Sequence, residues 1–429
     1  MLFSVSLKPE HLKRYKDIAR LLFKYGRADL AKVVDVDDEL AAEERTAAAG
    51  APEPAELARD LEALGPTFIK LGQLLSTRPD LLPPAYVEAL ARLQDQVAPF
   101  SFGEVEEIVS GELGVRISKA FSEFDAEPLA AASLGQVHRA ALRDGRAVAV
   151  KVRRPGLDGA VRSDLGLMDA LGPPLGRVFG SLDVGALLRE ARERVLDDLD
   201  LEHAGATQQR LARASRRLDA VTVPAVVSDL SAPGVLVCDL LDGPTLASRP
   251  PDDPGAVARA LIAFTLGAPR AVALAPADPR AENVVLLGDS IGLLGVGAAR
   301  AVDRARAERG LEALGALRAS DRAGFVAAVQ GLALLPAEAA GDAYDLLDEL
   351  IGDILRGPVR FDAVAVSDLI DRALAAVARA LPLTERLTAE PADLWPLRML
   401  VQLAALLGRL GATEDFCALA LAAGRDGWA

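Results

Sequence analysis

Aromatic residues make up only 4% of this 429-residue, 45.0 kDa chain, and histidine (three) and cysteine (two) are scarcer still. His11, His138, His203, Cys238 and Cys417 are too scattered for the ligand spacing of a zinc site. Two cysteines fit a reducing cytoplasm better than a disulfide framework. An excess of basic charge is also missing: 48 Lys and Arg stand against 62 Asp and Glu, a formal charge of −14. A general nucleic-acid binder is excluded on that ground, because its affinity would come from basic surface. Uninterrupted apolar runs of the roughly 18–20 residues needed to cross a bilayer are absent. Met1-Leu2-Phe3-Ser4-Val5 is too short for a signal peptide or anchor, and basic residues follow it rather than precede it. The expected location is cytoplasmic, peripheral at the inner face of the membrane at most.

What is present is Ala- and Leu-rich sequence, 51% apolar overall, a helix-rich signature in a chain long enough for two or three packed units. Residues 8–34 alternate basic side chains with apolar ones three and four apart. That pattern fits a membrane-surface or partner helix, or a helix docked by its apolar face with a solvated basic one. Helices are predicted over 57–64, 67–77, 86–95 and 102–113. From about 125 the pattern turns β-rich, with strands predicted over 137–142 and 146–152 joined by the hairpin turn Asp144-Gly145, then over 221–228 and 235–240. The span 164–213 reads as helical. A second hairpin is predicted over 284–287 and 291–294, and residues 301–429 read as mostly helical.

Three stretches carry the chemistry. Ala147-Val148-Ala149-Val150-Lys151 has the form of the strand whose lysine holds the α- and β-phosphates of a nucleotide in kinases. Just before it, Ala131, Ala132, Ser133, Gly135 and Gln136 lie where a phosphate-covering loop would lie, stiffened by alanine in place of glycine. Downstream, Asp278-Pro279-Arg280-Ala281-Glu282-Asn283 sets an Asp and an Asn five residues apart, the spacing of a kinase catalytic loop: Asp278 is the candidate base and Asn283 the candidate metal ligand. A kinase would then carry Asp-Phe-Gly with its Asp on magnesium. Here Leu293-Leu294-Gly295-Val296-Gly297 stands there, and Gly295 has no side chain to offer.

Lys70-Leu71-Gly72-Gln73, continuing as Leu74-Leu75-Ser76-Thr77-Arg78-Pro79, lies on a predicted helix. With this Lys-x-Gly-Gln motif, the Ala-rich loop and the run from Val148 to Gly156, the chain resembles the UbiB/AarF family of atypical kinase-like proteins of quinone biosynthesis. The resemblance covers nearly the whole chain and is most specific over its first 165 residues. It implies that Lys70 and Gln73 face the nucleotide site as regulatory residues and that protein phosphorylation is not the activity. The family's Glu-x-Asp element stands here as Asp198-Leu199-Asp200. The Glu six residues beyond its first acid, the implied partner of the strand lysine, is replaced by Ala204. The family's Asp-Pro-His-Pro-Gly-Asn loop has become Asp278–Asn283, and its metal-binding Asp has become Gly295.

The expected fold is α+β and protein-kinase-like, in two lobes: 1–124 a helical N-terminal extension, 125–245 the N-lobe, 246–429 the C-lobe with C-terminal helices. The expected ligand is ATP or ADP, with magnesium doubtful. Losing one preorganised charge on a transferring phosphoryl group costs about 10²–10³ in rate, and three changes in one site favour a pseudokinase. Such a protein would sense nucleotide or act as a scaffold in isoprenoid or quinone lipid metabolism, with a membrane surface or isoprenoid lipid as partner and no protein partner named. The alternatives are a working ATPase or small-molecule kinase using Lys151, Asp278 and Asn283, and a scaffold that binds a partner and no nucleotide.

Overall fold

The structure is a computed structural model that describes residues 53–76, 84–91, 93, 98–132, 134–157, 159, 161–166, 192, 196, 199–276, 279–384, 386–388 and 391–428, together with 14, 16–18, 20, 21 and 24. The chain is α+β and forms two compact units. Unit 1 is Met1–Glu202 with Ser228–Val237, and unit 2 is His203–Val227 with Cys238–Ala429. The units therefore do not follow the three successive blocks expected from the sequence. The strand ending at Asp239 completes the sheet of unit 1, whereas the helix before it mostly belongs with unit 2.

Unit 1 opens with three helices, α1 (Pro54–Leu64), α2 (Pro66–Leu75) and α3 (Pro84–Ala91). Proline starts each, where its fixed φ suits the first turn and its missing N–H costs nothing. They approach closely at Gly72: a β-carbon there would lie 2.3 Å from Leu93 Cδ1 and 2.9 Å from Leu61 Cδ1. Helix α4 (Phe102–Leu113) begins in a capping box, Ser101 accepting from the Glu104 N–H while Glu104 accepts from the Ser101 N–H. After α5 (Ile117–Ala120) comes a sheet of β1 (Phe121–Phe124), β2 (Ala130–Ala131), β3 (Gly135–Leu142), β4 (Ala147–Arg153) and β6 (Val235–Asp239). Strands β3 and β4 pair antiparallel around Asp144-Gly145, with Gly145 at φ +87°, a conformation glycine takes without penalty. Val148, Val150 and Val152 are fully buried on one face of β4.

Unit 2 is built round α7 (Pro254–Val272), capped by Asp253 and packed by Leu261, Ile262 and Phe264 into the main core. Helix α6 (Leu201–Ala214) leads to β5 (Val221–Thr222), which pairs in parallel with β9 (Ser290–Leu293); β9 pairs antiparallel with β8 (Val284–Leu287) across the Gly288-Asp289 turn. The strand predicted over 221–228 is cut to two residues. Pro224 has no N–H to continue the ladder, and its carbonyl is taken by the buried Gln208 amide at 2.9 Å. The short pair β7 (Leu274–Ala275) and β10 (Arg300–Ala301) follows. The remainder is helical: α8 (Arg304–Arg318), α9 (Arg322–Gly331), α10 (Ala337–Leu355), α11 (Ala363–Thr384), α12 (Pro391–Leu410) and α13 (Phe416–Asp426), with β11 (Val359–Arg360) and β12 (Thr413–Glu414) pairing between them. Trp428 returns the C-terminus to the core, stacked on Phe264 at 5.1 Å with its indole N–H donating to the Ala263 carbonyl.

Candidate functional site

The residues expected to hold a nucleotide fall into two groups, one in each unit. In unit 1, Lys151 lies half-buried on β4 directly across from Val137 of β3, so the two share one face of the sheet. Gly135 starts β3 where a β-carbon would sit 2.3 Å from the Val152 carbonyl oxygen, so only glycine allows the strands this approach. The Ala-rich stretch is less open than a phosphate loop needs. Ala130 and Ala131 form β2 against Val137 and Gln136, and the Ala132 N–H is spent on the Gly135 carbonyl at 2.7 Å. Ser133 lies outside the described residues.

The Gln136 side chain departs from its expected role. It sits across from Val152, on the face opposite Lys151, and is 1% exposed. Its carbonyl accepts from the Phe100 N–H at 3.0 Å and its amide donates to the Phe100 carbonyl at 3.3 Å, clamping the segment before α4 as an extra strand residue would. The same amide reaches His138 Nε2 at 2.9 Å, and His138 Nδ1 lies 2.8 Å from the Asp125 carbonyl. A carbonyl only accepts, so Nδ1 carries the proton and Nε2 accepts from Gln136. Burial pushes the His138 pKa below its ordinary value, against the pull of the Asp125 carbonyl.

In the motif helix α2, Gly72 provides the close packing already described. Gln73 is half-buried, and its carbonyl accepts from the Ser76 hydroxyl at 2.7 Å. The side chain of Lys70 lies outside the described residues. The helix is tied down at its start, where the Thr67 hydroxyl donates to Asp164 at 2.8 Å. Asp164 is 4% exposed and also takes a two-point bond from Arg14 at 2.6 and 2.7 Å, while Arg14 donates to the Leu64 carbonyl and lies over the Phe68 ring. One carboxylate thus fastens the N-terminal segment and the motif helix to the chain beyond Lys151. Sequence reading missed this node, since a lone Asp 97 residues from its threonine partner gives no local signal. Asp198 lies outside the described residues, and Asp200 is exposed just before α6.

In unit 2 the catalytic-loop residues Ala281–Asn283 form a single 3₁₀ turn, Asn283 donating its N–H to the Arg280 carbonyl at 2.9 Å. Asp278 lies outside the described residues. The Asn283 carbonyl accepts from the Leu294 N–H at 2.8 Å, which sets its side chain beside Gly295. Gly295 is in the left-handed region at φ +69°, and a β-carbon there would lie 3.0 Å from Asn283 Nδ2. Two residues on, a β-carbon at Gly297 would lie 2.6 Å from the Ala204 carbonyl oxygen and 3.0 Å from its Cβ. The positions of the absent acid at 295 and the absent acid at 204 thus meet the same turn. The cavity beside it is about 20 Å³, bordered by Phe264, Thr265, Asn283, Leu293 and Gly295. Of the described residues at this turn, Asn283 offers an amide oxygen and Gly295 offers no side chain. No group of three His, Cys, Asp or Glu side chains comes together elsewhere among the described residues.

A family model described as the ABC1 atypical kinase-like domain matches residues 92–329, more than half of the chain. The chain belongs to the UbiB/AarF family of atypical kinase-like proteins. Similar curated proteins are the "Probable protein kinase UbiB" of Cellvibrio japonicus, 40% identical over 193 residues, and that of Marinobacter nauticus, 37% identical over 193 residues. Each alignment takes in 44% of this chain, which spans about a third of the length of those relatives (34% and 35%). A solved structure described as the complex of Rv3197 with erythromycin from Mycobacterium tuberculosis is similar with a TM-score of 0.64 at 26% identity, over 89% of this chain and 97% of that one. The α+β fold of this UbiB/AarF protein is accordingly kinase-like.

In this family member, part of the basic N-terminal segment is engaged within unit 1. Beside the Arg14–Asp164 pair, Lys24 meets Asp60 at 2.8 Å and Glu56 at 3.5 Å, and Ile18 is 2% exposed. These contacts are those of a docked helix. Among the described residues one helix, α7, is long and apolar enough to cross a membrane. Its apolar residues are the centre of the unit 2 core, which accounts for its composition.

Proposed function

We propose that this UbiB/AarF protein is a pseudokinase that binds ATP or ADP and serves isoprenoid or quinone lipid metabolism as a nucleotide-responsive factor. The observation that carries the reading is the turn at Gly295. The position that should charge a metal has no side chain, is set for glycine by its φ, and lies within contact distance of Asn283. Retention of Lys151 on its strand face supports nucleotide binding, because an ammonium there serves phosphate oxygens without any need for catalysis. The loss of a metal charge costs several kcal/mol of transition-state stabilisation, about 10²–10³ or more in rate. Nucleotide affinity survives such a loss better than turnover does.

The lipid assignment rests on the resemblance of the Lys70–Gln73 motif and the Ala-rich loop to a family of quinone biosynthesis. Peripheral attachment to the inner face of an anionic membrane would draw on the basic composition of residues 8–34. Co-sedimentation with anionic vesicles at low salt tests it.

Turnover tests the pseudokinase reading. ATP hydrolysis and phosphoryl transfer are measured with magnesium on the wild type and on Asp278→Ala. No turnover above the Asp278→Ala background is expected. Magnesium-dependent turnover abolished by Asp278→Ala would establish the working-ATPase reading instead.

A further inference from the structure

Arg154, which directly follows β4, holds the Ala-rich loop by both its main chain and its side chain. Its backbone N–H donates to the Leu134 carbonyl at 2.9 Å. Its Nη2 donates to the Ala132 carbonyl at 3.3 Å and to the Ala98 carbonyl at 2.9 Å, so one nitrogen joins the loop to the segment that leads into α4. The guanidinium also lies 5.3 Å from the centroid of the Phe100 ring, a cation–π contact with that same segment. Gln136 grips Phe100 by its backbone N–H and carbonyl. Residues 98–100 are therefore fastened twice, by Gln136 in β3 and by Arg154 after β4.

The guanidinium is not satisfied by this arrangement. Its bonds go to neutral carbonyls, no carboxylate among the described residues pairs with it, and its Nε is buried without a partner. Burial pushes its pKa below the ordinary arginine value, against the pull of Glu104. The neighbouring Arg153 differs: it donates to the Leu199 carbonyl at 3.0 Å and lies 3.9 Å from Glu112. An arginine placed for stability alone would turn its head to water or to an acid.

We propose that Arg154 is a positioning residue that sets the Ala-rich loop by tying it to the segment before α4, so that the two segments order together. A planar guanidinium suits the task, because one group donates to two carbonyls and lies over a ring, which a lysine ammonium does not do. The consequence for ligand binding rests on the reading of this loop as a phosphate site. An ordered loop presents its backbone to phosphate without first losing conformational freedom. A cation that no acid neutralises is bonded to the same loop and favours an anion there.

Hydrogen exchange of the full chain without ligand, read by mass spectrometry, tests the tie. Arg154→Met is compared with wild type over residues 98–101 and 129–135, with 140–150 of the β3–β4 hairpin as the internal reference for global stability. Loss of a charge-assisted bond speeds local opening about tenfold or more. Both segments are expected to show it together while the hairpin keeps its rate. Phe100→Leu removes the ring beneath the guanidinium and is expected to speed exchange in the loop through Arg154. In an Arg154→Met background it should add nothing there. Loop rates that Phe100→Leu leaves unchanged, or speeds equally in both backgrounds, overturn the proposal. Calorimetric titration of ADP reads the consequence: Arg154→Met is expected to weaken binding at least about fivefold. Equal affinity in the two proteins overturns the positioning role. A wild type that binds no ADP would refute the nucleotide reading, and the exchange cycle, which uses no ligand, would still decide the tie.

Discussion

Gly297 lies directly against Ala204, its missing β-carbon 2.6 Å from the Ala204 carbonyl oxygen and 3.0 Å from the Ala204 methyl. The relationship links two departures from the family pattern. On the family resemblance Ala204 stands where an acid is expected to pair with the strand lysine, and it packs on the turn in which Gly295 stands where a metal-binding acid is expected. Gly297→Ala forces a methyl group into backbone and should cost about 1–3 kcal/mol of stability. Ala204→Gly should recover only part of that, because the carbonyl remains. A double-mutant cycle by urea denaturation measures the coupling; full recovery would mean that the methyl contact alone sets the packing.

His138 predicts a pH dependence of stability. Burial depresses its pKa in the folded protein, while the unfolded chain titrates near 6.5. From about pH 6.5 down to the depressed folded value the unfolded chain therefore binds more protons, and stability falls as pH falls. Protonation of Nε2 would also break its bond from Gln136. The urea midpoint of the wild type should drop between about pH 7 and pH 5, and His138→Asn should flatten the drop. An unchanged slope in the variant would place the effect elsewhere.

Much of this fold is legible along the chain. The β3–β4 hairpin forms around Asp144-Gly145 and the β8–β9 hairpin around Gly288-Asp289, because short-range turn chemistry and alternation decide them. The kinase-like spacings at Lys151 and from Asp278 to Asn283 are read in the same way, each within one segment. What stayed hidden depends on partners far away. Gln136 is expected in a phosphate loop, yet it lies with His138 on the buried face of β3, where Phe100 and Asp125 satisfy them. The strand expected over 221–228 ends early at Pro224, where a helix 16 residues back supplies the bonding partner. The packing of Ala204 on Gly297 and the fastening of Arg14 to Asp164 have no local signature at all.

Asp415 joins two helices of unit 2. It takes bonds of 2.6 and 2.7 Å from Arg318 and caps α13 through the Ala418 N–H. The Arg318 guanidinium holds its carboxyl below the usual carboxylate range. A depressed folded pKa means stability that is present above the unfolded value of about 3.9 and is lost as pH falls through the folded value. Asp415→Asn keeps the cap and loses the ion pair, and for this quarter-exposed pair should cost about 1–2 kcal/mol at pH 7, with the difference from wild type closing in acid. A gap that persists under acid would show the loss to be one of packing.

The C-terminal Trp428 should be a major part of the unit 2 core. It is 3% exposed, stacks on Phe264 and packs over Gly267. Trp428→Ala should cost about 3–5 kcal/mol, read by calorimetric unfolding. A loss under about 1 kcal/mol would mean that the terminal contact is peripheral.

The most direct test of a nucleotide site without its metal charge is calorimetric titration of ATP and ADP into the wild-type chain, with and without magnesium. The account predicts binding that is indifferent to magnesium and becomes magnesium-responsive in Gly295→Asp. Wild-type binding that tightens about tenfold or more with magnesium would contradict it, since Asn283 and another acid would then be building the metal site that Gly295 lacks.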